Sequence, residues 1–386
     1  MKYRKFGKSD WNVSALGFGC MRLPVLGDNP VGNEIDEDLA IKMIRHAIDS
    51  GVNYVDTAYP YHMGKSEIVT GKALGDGYRD KVRLATKSPV WMIKEQDDFD
   101  KYLDQQLKKL DTDHIDYYLF HGLGENTWGN IVLKHNLLVK AEDAVSDGRI
   151  GHIGFSFHDK YEVFKDIVDG YDRWEFCQVQ YNYIDVDSQS GIKGLRYAAE
   201  KGLAIVIMEP LLGGKLASPP KLVRTLFEET GNSHTPADLA LQWLWSQPEI
   251  SVVLSGMSAM NQVEENLASA ETSGELLNHE DLALIEKVRQ KFLELSPIPC
   301  TKCNYCLPCP NGVVIPRNFD IYNDGVIFDN LKEAAGLYFR LGSFFGESFM
   351  AKSCVQCGIC EEKCPQKIPI SEWMPKVHEE FSKVIL

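Results

Sequence analysis

The sequence predicts an α/β protein, namely a (β/α)8 barrel followed by a smaller, mainly helical C-terminal domain. Eight short apolar or β-branched runs alternate with stretches of helical periodicity before residue 296, and such alternation is typical of a parallel sheet covered by helices. No G-x-G-x-x-G motif follows any of these runs, which disfavours an open doubly wound sheet. Eight of the ten cysteines follow residue 299, so the C-terminal part has a chemistry of its own.

The predicted strands are short runs that recur along the first part of the chain. They comprise residues 15–20, 53–56, 82–87, 115–121, 153–156, 176–181, 204–208 and 251–255. Amphipathic helices are predicted over residues 38–50, 66–74 and 97–110, and a further helix is predicted to end at Asp147 and Gly148. Eight strand–helix units in fewer than 300 residues fit a closed barrel of parallel strands.

Two domains are predicted, over residues 1–295 and 296–386. The segment Ser296-Pro297-Ile298-Pro299 marks the boundary, because closely spaced prolines end a helix and stiffen a connection. Within the second domain, apolar residues recur with helical spacing from Asn330 to Leu341.

The composition indicates a soluble, cytoplasmic protein. The chain has 386 residues with 41 Lys and Arg against 55 Asp and Glu, a formal net charge of -14. Because such a charge repels phosphate backbones, nucleic acid is not an expected partner. No segment approaches 18 unbroken apolar residues, and no apolar region follows the basic start of the chain. Neither a membrane span nor a secretory leader is therefore expected.

Polar residues end three neighbouring predicted strands. Asp56 closes the second strand, Lys87 the third and His121 the fourth. In a parallel barrel the carboxyl ends of the strands form one rim, where catalytic residues lie. Each residue alone could be structural, but three adjacent polar strand ends would cost about 1–3 kcal/mol each if they were buried without partners. The three side chains therefore predict an active site.

These residues resemble the catalytic tetrad of the aldo-keto reductases. The resemblance rests on Asp56-Thr57-Ala58, on Tyr61 five positions after Asp56, and on Lys87 and His121 at strand ends; the opening residues 6–19 also resemble that family's N-terminal signature. It implies that Tyr61 is the general acid, that Lys87 acidifies its phenol, that Asp56 orients Lys87, and that His121 positions the carbonyl of the substrate. Tyr59 is the nearest rival for the acid.

The same resemblance implies a nicotinamide cofactor, NAD(P)H, and a set of residues that contact it. Ser156 and Gln178 would meet the carboxamide, the loop from Pro210 and Leu211 to Gly213 and Gly214 would follow the pyrophosphate, and Glu265 with Asn266 would contact the adenine.

Several positions depart from that family's pattern. Phe157 replaces an Asn, Met208 replaces the aromatic residue that stacks on nicotinamide, and Gly256 and Gln262 stand where Lys and Arg bind the 2′-phosphate. Without those cations, the usual basis for preferring NADPH over NADH is missing. Because the stacking ring is absent, a flavin is the alternative cofactor.

Two cysteine runs follow residue 299. Cys354, Cys357, Cys360 and Cys364 have the C-x2-C-x2-C-x3-C-P spacing of bacterial ferredoxins, and Cys300, Cys303, Cys306 and Cys309 have one residue fewer before the fourth cysteine. Disulfides are disfavoured without a secretory context, and zinc prefers two separated pairs. The runs therefore resemble a module with two [4Fe-4S] clusters.

In two-cluster ferredoxins the fourth cysteine of each run binds the other cluster. By that resemblance, Cys364 would join Cys300, Cys303 and Cys306, whereas Cys309 would join Cys354, Cys357 and Cys360. Cys20 and Cys177 are predicted to be buried apolar residues.

Three functions remain open from the sequence. The favoured one is an oxidoreductase that acts on a small carbonyl or alcohol substrate, with its clusters either conducting electrons or docking a redox partner protein. The second is a flavin-dependent, ferredoxin-linked reductase. The third is an iron–sulfur electron carrier that has no catalysis of its own.

Overall fold

The computed structural model describes residues 1–27, 34–231, 234–275, 277–300, 302 and 304–384. The chain divides into two compact units. The first unit comprises residues 1–218 and 234–278, and the second comprises residues 219–233 and 279–386. The structure thus groups residues 219–233 and 279–295 with the C-terminal part. The sequence-based domain boundary at residue 296 stays a prediction.

The first unit is built on a closed barrel of eight parallel strands. Its strands are β3 (Leu16–Gly19), β4 (Tyr54–Asp56), β5 (Arg83–Ser88), β6 (Ile115–Leu123), β7 (Ile150–Phe157), β8 (Phe176–Gln180), β9 (Ala204–Met208) and β10 (Ile250–Gly256). They follow one another around the barrel in chain order, and β10 pairs with β3 to close it. The predicted (β/α)8 fold is confirmed, and each of the eight predicted strands overlaps an observed one.

A two-stranded antiparallel sheet precedes the barrel and was not expected. It consists of β1 (Tyr3–Lys5) and β2 (Asn12–Ser14). Phe6, in the turn between the two strands, belongs to the apolar cluster inside the barrel and lies 4.7 Å from the ring of Tyr117. Strands of three residues are too short to show a period of two, which is why the sequence pattern did not reveal them.

Helices surround the barrel and form most of the second unit. Those of the first unit are α1 (Glu37–Asp49), α2 (Ser66–Leu74), α3 (Asp98–Leu110), α4 (Glu125–Thr127), α5 (Leu137–Ser146), α6 (Tyr161–Asp169), α7 (Gly191–Lys201), α9 (Pro236–Trp245) and α10 (Met260–Glu271). The second unit contains α8 (Lys221–Thr230), α11 (His279–Leu295), α12 (Ile315–Ile327), α13 (Leu331–Phe345), α14 (Ile359–Glu362) and α15 (Ile370–Lys383). Among the described helices, none combines the length and the apolar character that a membrane span requires.

Along the barrel strands, the inward-facing positions change from apolar to polar toward the carboxyl ends. Tyr54, Ala85 and Leu119 belong to the apolar cluster inside the barrel. Side chains two positions apart on a strand share a face. The residues two positions further along these strands are Asp56, Lys87 and His121. The alternation of the strands therefore directs the three predicted catalytic side chains to the same rim.

Candidate active site and iron–sulfur sites

Lys87 is the centre of the candidate active site. Its side chain is 1% exposed, and its ammonium donates hydrogen bonds to Asp56 Oδ1 at 2.6 Å, to the Thr57 carbonyl oxygen at 2.8 Å and to Tyr61 Oη at 3.4 Å. An ammonium has three N–H donors and no acceptor, so these bonds use all of its donors. The structure thus brings three of the four predicted catalytic residues into one network.

The bond from Lys87 determines how Tyr61 is used. Because Lys87 can only donate, Tyr61 Oη is the acceptor and its own proton is free to be donated elsewhere. Burial raises the pKa of the Tyr61 phenol above its ordinary value of 10.0, while the nearby ammonium of Lys87 opposes this rise. The expected acidification by Lys87 is therefore present, but burial outweighs it. The phenol is protonated at neutral pH, as a proton donor must be.

Asp56 and Lys87 form a buried ion pair. Burial raises the pKa of the Asp56 carboxyl, and the charge of Lys87 opposes the shift. Burial by itself lowers the pKa of Lys87, but the charges of Asp56 and Tyr61 reverse that effect and leave the pKa of the ammonium above 10.5. Lys87 is therefore charged throughout the neutral range, and each partner depends on the other for charge compensation.

A second buried network fixes the strand that carries Lys87. Glu67 of α2 is fully buried, and its Oε1 accepts hydrogen bonds from Thr86 Oγ1 at 2.7 Å and from Gln106 Nε2 at 2.6 Å. Lys109 of α3 pairs with the other carboxylate oxygen of Glu67 at 3.1 Å. Gln106 Nε2 also donates to the carbonyl oxygen of Lys87 at 3.1 Å. The backbone below the ammonium is thus held by two helices.

Tyr61 lies in a strained turn just after β4. In the 3-10 turn Tyr61–Gly64, His62 and Met63 adopt left-handed conformations with φ of 48° and 55°, which costs free energy in residues that have a side chain at Cβ. His62 Nε2 accepts a hydrogen bond from the Leu23 N–H at 3.1 Å. This bond ties the turn to the loop after β3 and stabilises the position of the phenol.

The rival tyrosine faces a different environment. Tyr59 Oη donates to Gln105 Oε1 at 2.9 Å, and Lys109 Nζ lies 3.8 Å from the centroid of the Tyr59 ring. Both contacts are made to α3. The geometry therefore favours Tyr61 over Tyr59 as the acid.

His121 lies beside the phenol near the end of β6. Its ring centroid is 6.0 Å from that of Tyr61 and 5.0 Å from that of Trp91. Burial lowers the pKa of His121 well below 6.5, and the charges of Lys87 and His158 lower it further. The imidazole is therefore neutral at pH 7 and has one N–H to donate. Its Nδ1 has no hydrogen-bond partner among the described residues.

The depressed pKa of His121 predicts that the first unit loses stability in mild acid. Below pH 6.5 the unfolded chain binds a proton at His121 that the folded chain does not bind, so the free energy of unfolding falls as the pH falls. One such proton contributes a slope of at most about 1.4 kcal/mol per pH unit. Urea denaturation at pH 7 and pH 5 measures this slope. The slope should be shallower in His121→Gln than in the wild type. An equal slope in both proteins would contradict the attribution of this loss of stability to His121.

Ser156 and Gln178, the predicted carboxamide contacts, stand side by side on β7 and β8. Ser156 Oγ accepts a hydrogen bond from the Gly122 N–H at 2.8 Å, which leaves its hydroxyl proton available. Gln178 is 2% exposed, and its Oε1 has no partner among the described residues. A buried acceptor without a partner is costly. The amide N–H2 of a nicotinamide would satisfy it, so these residues fit the cofactor.

The predicted phosphate loop follows β9. Pro210 is buried and Leu211 is partly buried, so they pack against the protein, whereas Gly213 and Gly214 are exposed. Leu212, Gly213 and Gly214 have φ of 48°, 68° and 98°. This left-handed backbone bends the loop sharply, and the absence of Cβ atoms at the two glycines allows a ligand to approach the chain closely.

The predicted adenine contacts lie on α10 and already have protein partners. Asn266 is 4% exposed and donates to Ser255 Oγ at 2.9 Å, which ties the helix to the end of β10. Glu265 is exposed and accepts a hydrogen bond from Thr235 Oγ1 at 2.7 Å. An adenine contact at either residue therefore stays a prediction.

Two residues near the rim were not singled out from the sequence. Trp91 follows β5 and contacts the His121 ring edge to face. Arg22 follows β3 and lies near Gly213 and Gly256. The position of Trp91 just beyond a strand that ends in Lys87 was a usable signal. No sequence signal pointed to Arg22, because the residues that it lies near in the structure are distant from it in the sequence.

The described cysteines of the second unit fall into two groups. A small cavity is lined by Cys300, Cys306 and Cys364, together with apolar residues such as Phe319. This is the mixed grouping predicted for one cluster. Cys303, its fourth predicted member, lies outside the described residues.

The other group contains cysteines of both runs. Cys309 and Cys357 both lie near enough to Cys354 to influence its pKa, which burial raises, and Cys360 lies near Cys354 and Cys357. These four thiols are the set predicted for the second cluster, and soft thiolates are the ligands that iron–sulfur clusters use. The described residues contain no group of three or more His, Cys, Asp and Glu side chains arranged around a single metal ion.

Two buried asparagines on α12 hold the segments that lead into the cysteine runs. Asn323 Nδ2 donates to the Ile298 carbonyl oxygen at 2.7 Å, and its Oδ1 accepts from the Ile298 N–H at 3.1 Å. Asn318 Nδ2 donates to the Phe349 carbonyl oxygen at 2.9 Å, and its Oδ1 accepts from the Ala351 N–H at 3.0 Å. These two side chains therefore help to position the backbone just before Cys300 and Cys354.

The mixed grouping predicts how cysteine variants lose iron. If Cys300 and Cys364 bind the same cluster, the double variant Cys300→Ala/Cys364→Ala should lose one cluster, with iron falling from about eight to about four atoms per chain. If each run bound its own cluster, the double variant would damage both. Iron analysis of anaerobically prepared protein, with Cys177→Ala as the control at a fully buried cysteine of the barrel, separates the two outcomes.

The family of the chain follows from comparison with known proteins. The profile of the aldo/keto reductase family matches residues 15–290, and that of the 4Fe-4S dicluster domain matches residues 299–368. The chain therefore belongs to the aldo/keto reductase family, is an oxidoreductase, and carries a 4Fe-4S domain after the barrel. Both resemblances predicted from the sequence are confirmed at this level.

Individual relatives resemble about three quarters of the chain. An uncharacterised oxidoreductase, YqkF of Bacillus subtilis, is 27% identical over 304 residues, which cover 70% of this chain and 91% of that protein. L-galactose dehydrogenase of Arabidopsis thaliana is 27% identical over 319 residues, covering 77% of this chain and 97% of that protein. The holo form of the aldo-keto reductase AKR11C1 from Bacillus halodurans has a TM-score of 0.61 and 25% identity, covering 75% of this chain and 96% of its own.

Proposed function

We propose that this protein reduces small carbonyl compounds, or oxidises the corresponding alcohols, with a nicotinamide cofactor and with Tyr61 as the proton donor and acceptor. The observation that carries the proposal is the Lys87 ammonium, whose three N–H groups are bound by Asp56, the Thr57 carbonyl and Tyr61. A buried lysine that donates to a tyrosine beside a neutral histidine is suited to proton transfer onto a carbonyl oxygen.

Tyr61, Lys87 and His121 each have a separate role in the reduction of the carbonyl. When bound, the nicotinamide would supply a hydride to the carbonyl carbon. Tyr61 gives its proton to the carbonyl oxygen, and Lys87 stabilises the negative charge that develops on the phenol oxygen. His121, being neutral, donates its N–H to the same carbonyl oxygen and orients it. The carbonyl carbon would gain the hydride and the oxygen the proton of Tyr61, which together make the alcohol, and Tyr61 then recovers a proton from solvent.

Ser156 and Gln178 would hold the carboxamide of the cofactor. The partnerless Oε1 of Gln178 is an acceptor for the amide, and the Ser156 hydroxyl retains a proton to donate. Ser156 lies on β7, which pairs with the strand of His121, and Gln178 lies on β8, the next strand around the barrel. The match of these two groups to a carboxamide supports the nicotinamide.

The second unit supplies the electron-transfer part of the proposal, namely two [4Fe-4S] clusters that exchange single electrons with a redox partner protein. Cys357 is exposed, and so are the apolar side chains of Val355 and Ile359 on either side of it. In the proposal, these exposed apolar residues would contribute to the contact with the partner protein. A cluster bound there would lie close to the surface.

An anaerobic activity assay tests the function. NADH and NADPH oxidation is measured with a panel of small aldehydes, ketones and aldoses; the aldoses are included because the Arabidopsis relative is named for L-galactose. The proposal expects one mole of alcohol for each mole of cofactor oxidised. A flavin spectrum in the purified protein without any NAD(P)H oxidation would favour the flavin-dependent reductase, and iron–sulfur spectra without turnover would favour the electron carrier.

A further inference from the structure

Arg22 is an exposed arginine at the rim of the barrel, just after β3. Its aliphatic chain lies against Gly256 at the end of β10, since a methyl group built on Gly256 would be 3.4 Å from Arg22 Cβ and 3.6 Å from Cδ. Its guanidinium lies over the loop after β9, since a methyl group built on Gly213 would be 3.2 Å from Nη2. The side chain thus spans the gap between two strand ends.

The guanidinium of Arg22 forms no ion pair with any residue that the structure describes. Among the described residues, no carboxylate, carbonyl oxygen or aromatic ring is recorded as a partner of Arg22, although most other arginines of the first unit, such as Arg79 and Arg149, form ion pairs. A planar guanidinium has five N–H donors in a geometry that matches phosphate oxygens. Arg22 is therefore free to bind an anion at this edge of the site.

The backbone on either side of Arg22 is bonded to the turn Tyr61–Gly64 and to the start of α2. Ser66 Oγ donates to the Cys20 carbonyl oxygen at 2.8 Å, and the Leu23 N–H donates to His62 Nε2 at 3.1 Å. His62 is the residue next to Tyr61. An anion bound by Arg22 would therefore have a defined position relative to the proposed proton donor.

Gly213, beside Arg22, and its neighbour Gly214 have no side chain that would block a ligand. Gly213 has φ of 68°, a conformation that residues with a side chain rarely adopt, and nothing lies within 4 Å of a methyl group built on Gly214. Gly256 and Gln262 offer no positive charge for a phosphate on the ribose. Arg22 is thus a cation that the geometry places beside the glycine turn.

We propose that Arg22 binds the pyrophosphate of the dinucleotide, so that the cation for the cofactor phosphates comes from the loop after β3. This assignment rests on the proposed nicotinamide function for the location of the pyrophosphate along Gly213 and Gly214. Because the pyrophosphate is common to NADH and NADPH, Arg22 strengthens the binding of both. It gives no preference for the 2′-phosphate.

Direct binding measurements on the full-length, cluster-loaded protein test the proposal. Dissociation constants for NADH, NADPH, ADP-ribose and AMP are compared in the wild type and Arg22→Ala, with Arg196→Ala as the control because Arg196 is an exposed arginine on α7. Arg22→Ala should weaken NADH, NADPH and ADP-ribose about 10- to 100-fold each, as expected for lost hydrogen bonds to a charged group. AMP, which lacks a pyrophosphate, should bind unchanged, and Arg22→Lys should fall between the wild type and the alanine variant.

The outcomes separate this assignment from the proposed function. Unchanged binding of NADH and NADPH to Arg22→Ala, or a loss confined to NADPH, would overturn the role of Arg22 and leave the function standing. Weaker ADP-ribose binding in Arg22→Ala, together with no carbonyl reduction by the wild type, would support Arg22 and reject the function. A wild type that binds none of these nucleotides would overturn both.

Discussion

Tyr61→Phe is expected to lower the rate of carbonyl reduction by about 10²- to 10⁴-fold, the range that a positioned general acid contributes. The variant removes the proton donor and keeps the ring beside His121. Tyr61 is only partly buried, so water can replace the lost hydroxyl as an acceptor for Lys87 and the fold should survive. Single-turnover reduction under anaerobic conditions, with thermal unfolding recorded in parallel, measures both effects.

Tyr59→Phe is the matched control for this prediction. It removes a hydroxyl from the same segment of chain, but one that donates to Gln105 and not to the proposed reaction. Reduction should therefore stay within a few-fold of the wild type, and the cofactor should bind both variants as it binds the wild type. Equal losses in the two variants, or a loss only in Tyr59→Phe, would reject Tyr61 as the acid.

Lys87→Met is expected to lower the free energy of unfolding of the first unit by about 3–5 kcal/mol, the cost of leaving one member of a buried ion pair without its partner. Methionine fills a similar volume without charge, so Asp56, which is 3% exposed, would have to be buried as an uncompensated carboxylate or take up a proton. Activity should also fall, because the phenolate formed during the reaction loses its stabilising charge. Urea denaturation monitored by tryptophan fluorescence reports mainly on this unit, since six of the seven tryptophans precede residue 279.

The double variant Asp56→Asn/Lys87→Met separates the contribution of charge to stability from the contribution of packing. Removing both charges should restore much of the lost stability while activity stays low. Lys165→Met, which breaks an exposed pair with Asp169 on α6, should have little effect. A double variant that is as unstable as Lys87→Met would show that the loss comes from packing, and that Asp56 and Lys87 are not coupled.

The barrel and the proposed tetrad could be predicted because both depend on local patterns. Alternating strands and helices specify the fold, and polar residues at the ends of β4, β5 and β6 must meet at one rim once the strands are parallel. The spacing from Asp56 to Tyr61 then places the phenol. The cysteine runs were equally informative, since their spacing is itself the ligand pattern.

Features that depend on tertiary contacts could not be predicted. Arg22, Gly213 and Gly256 are far apart in the sequence and meet because β10 pairs with β3 on one side and with β9 on the other. The upward pKa shift of Tyr61 depends on burial, which the motif does not encode. Helix α8 lies between barrel elements in the sequence, yet the structure groups it with the C-terminal unit.

The source of the hydrogen on the carbonyl carbon tests the central claim most directly. A single turnover is run with nicotinamide cofactor that carries deuterium at the transferable position, in ordinary water, and the alcohol is analysed by mass spectrometry. Direct transfer at the Tyr61 site predicts one deuterium on the former carbonyl carbon and a solvent proton on the oxygen. An alcohol that takes its carbon-bound hydrogen from water would mean that the electrons travelled singly through the clusters or a flavin, and it would contradict this account.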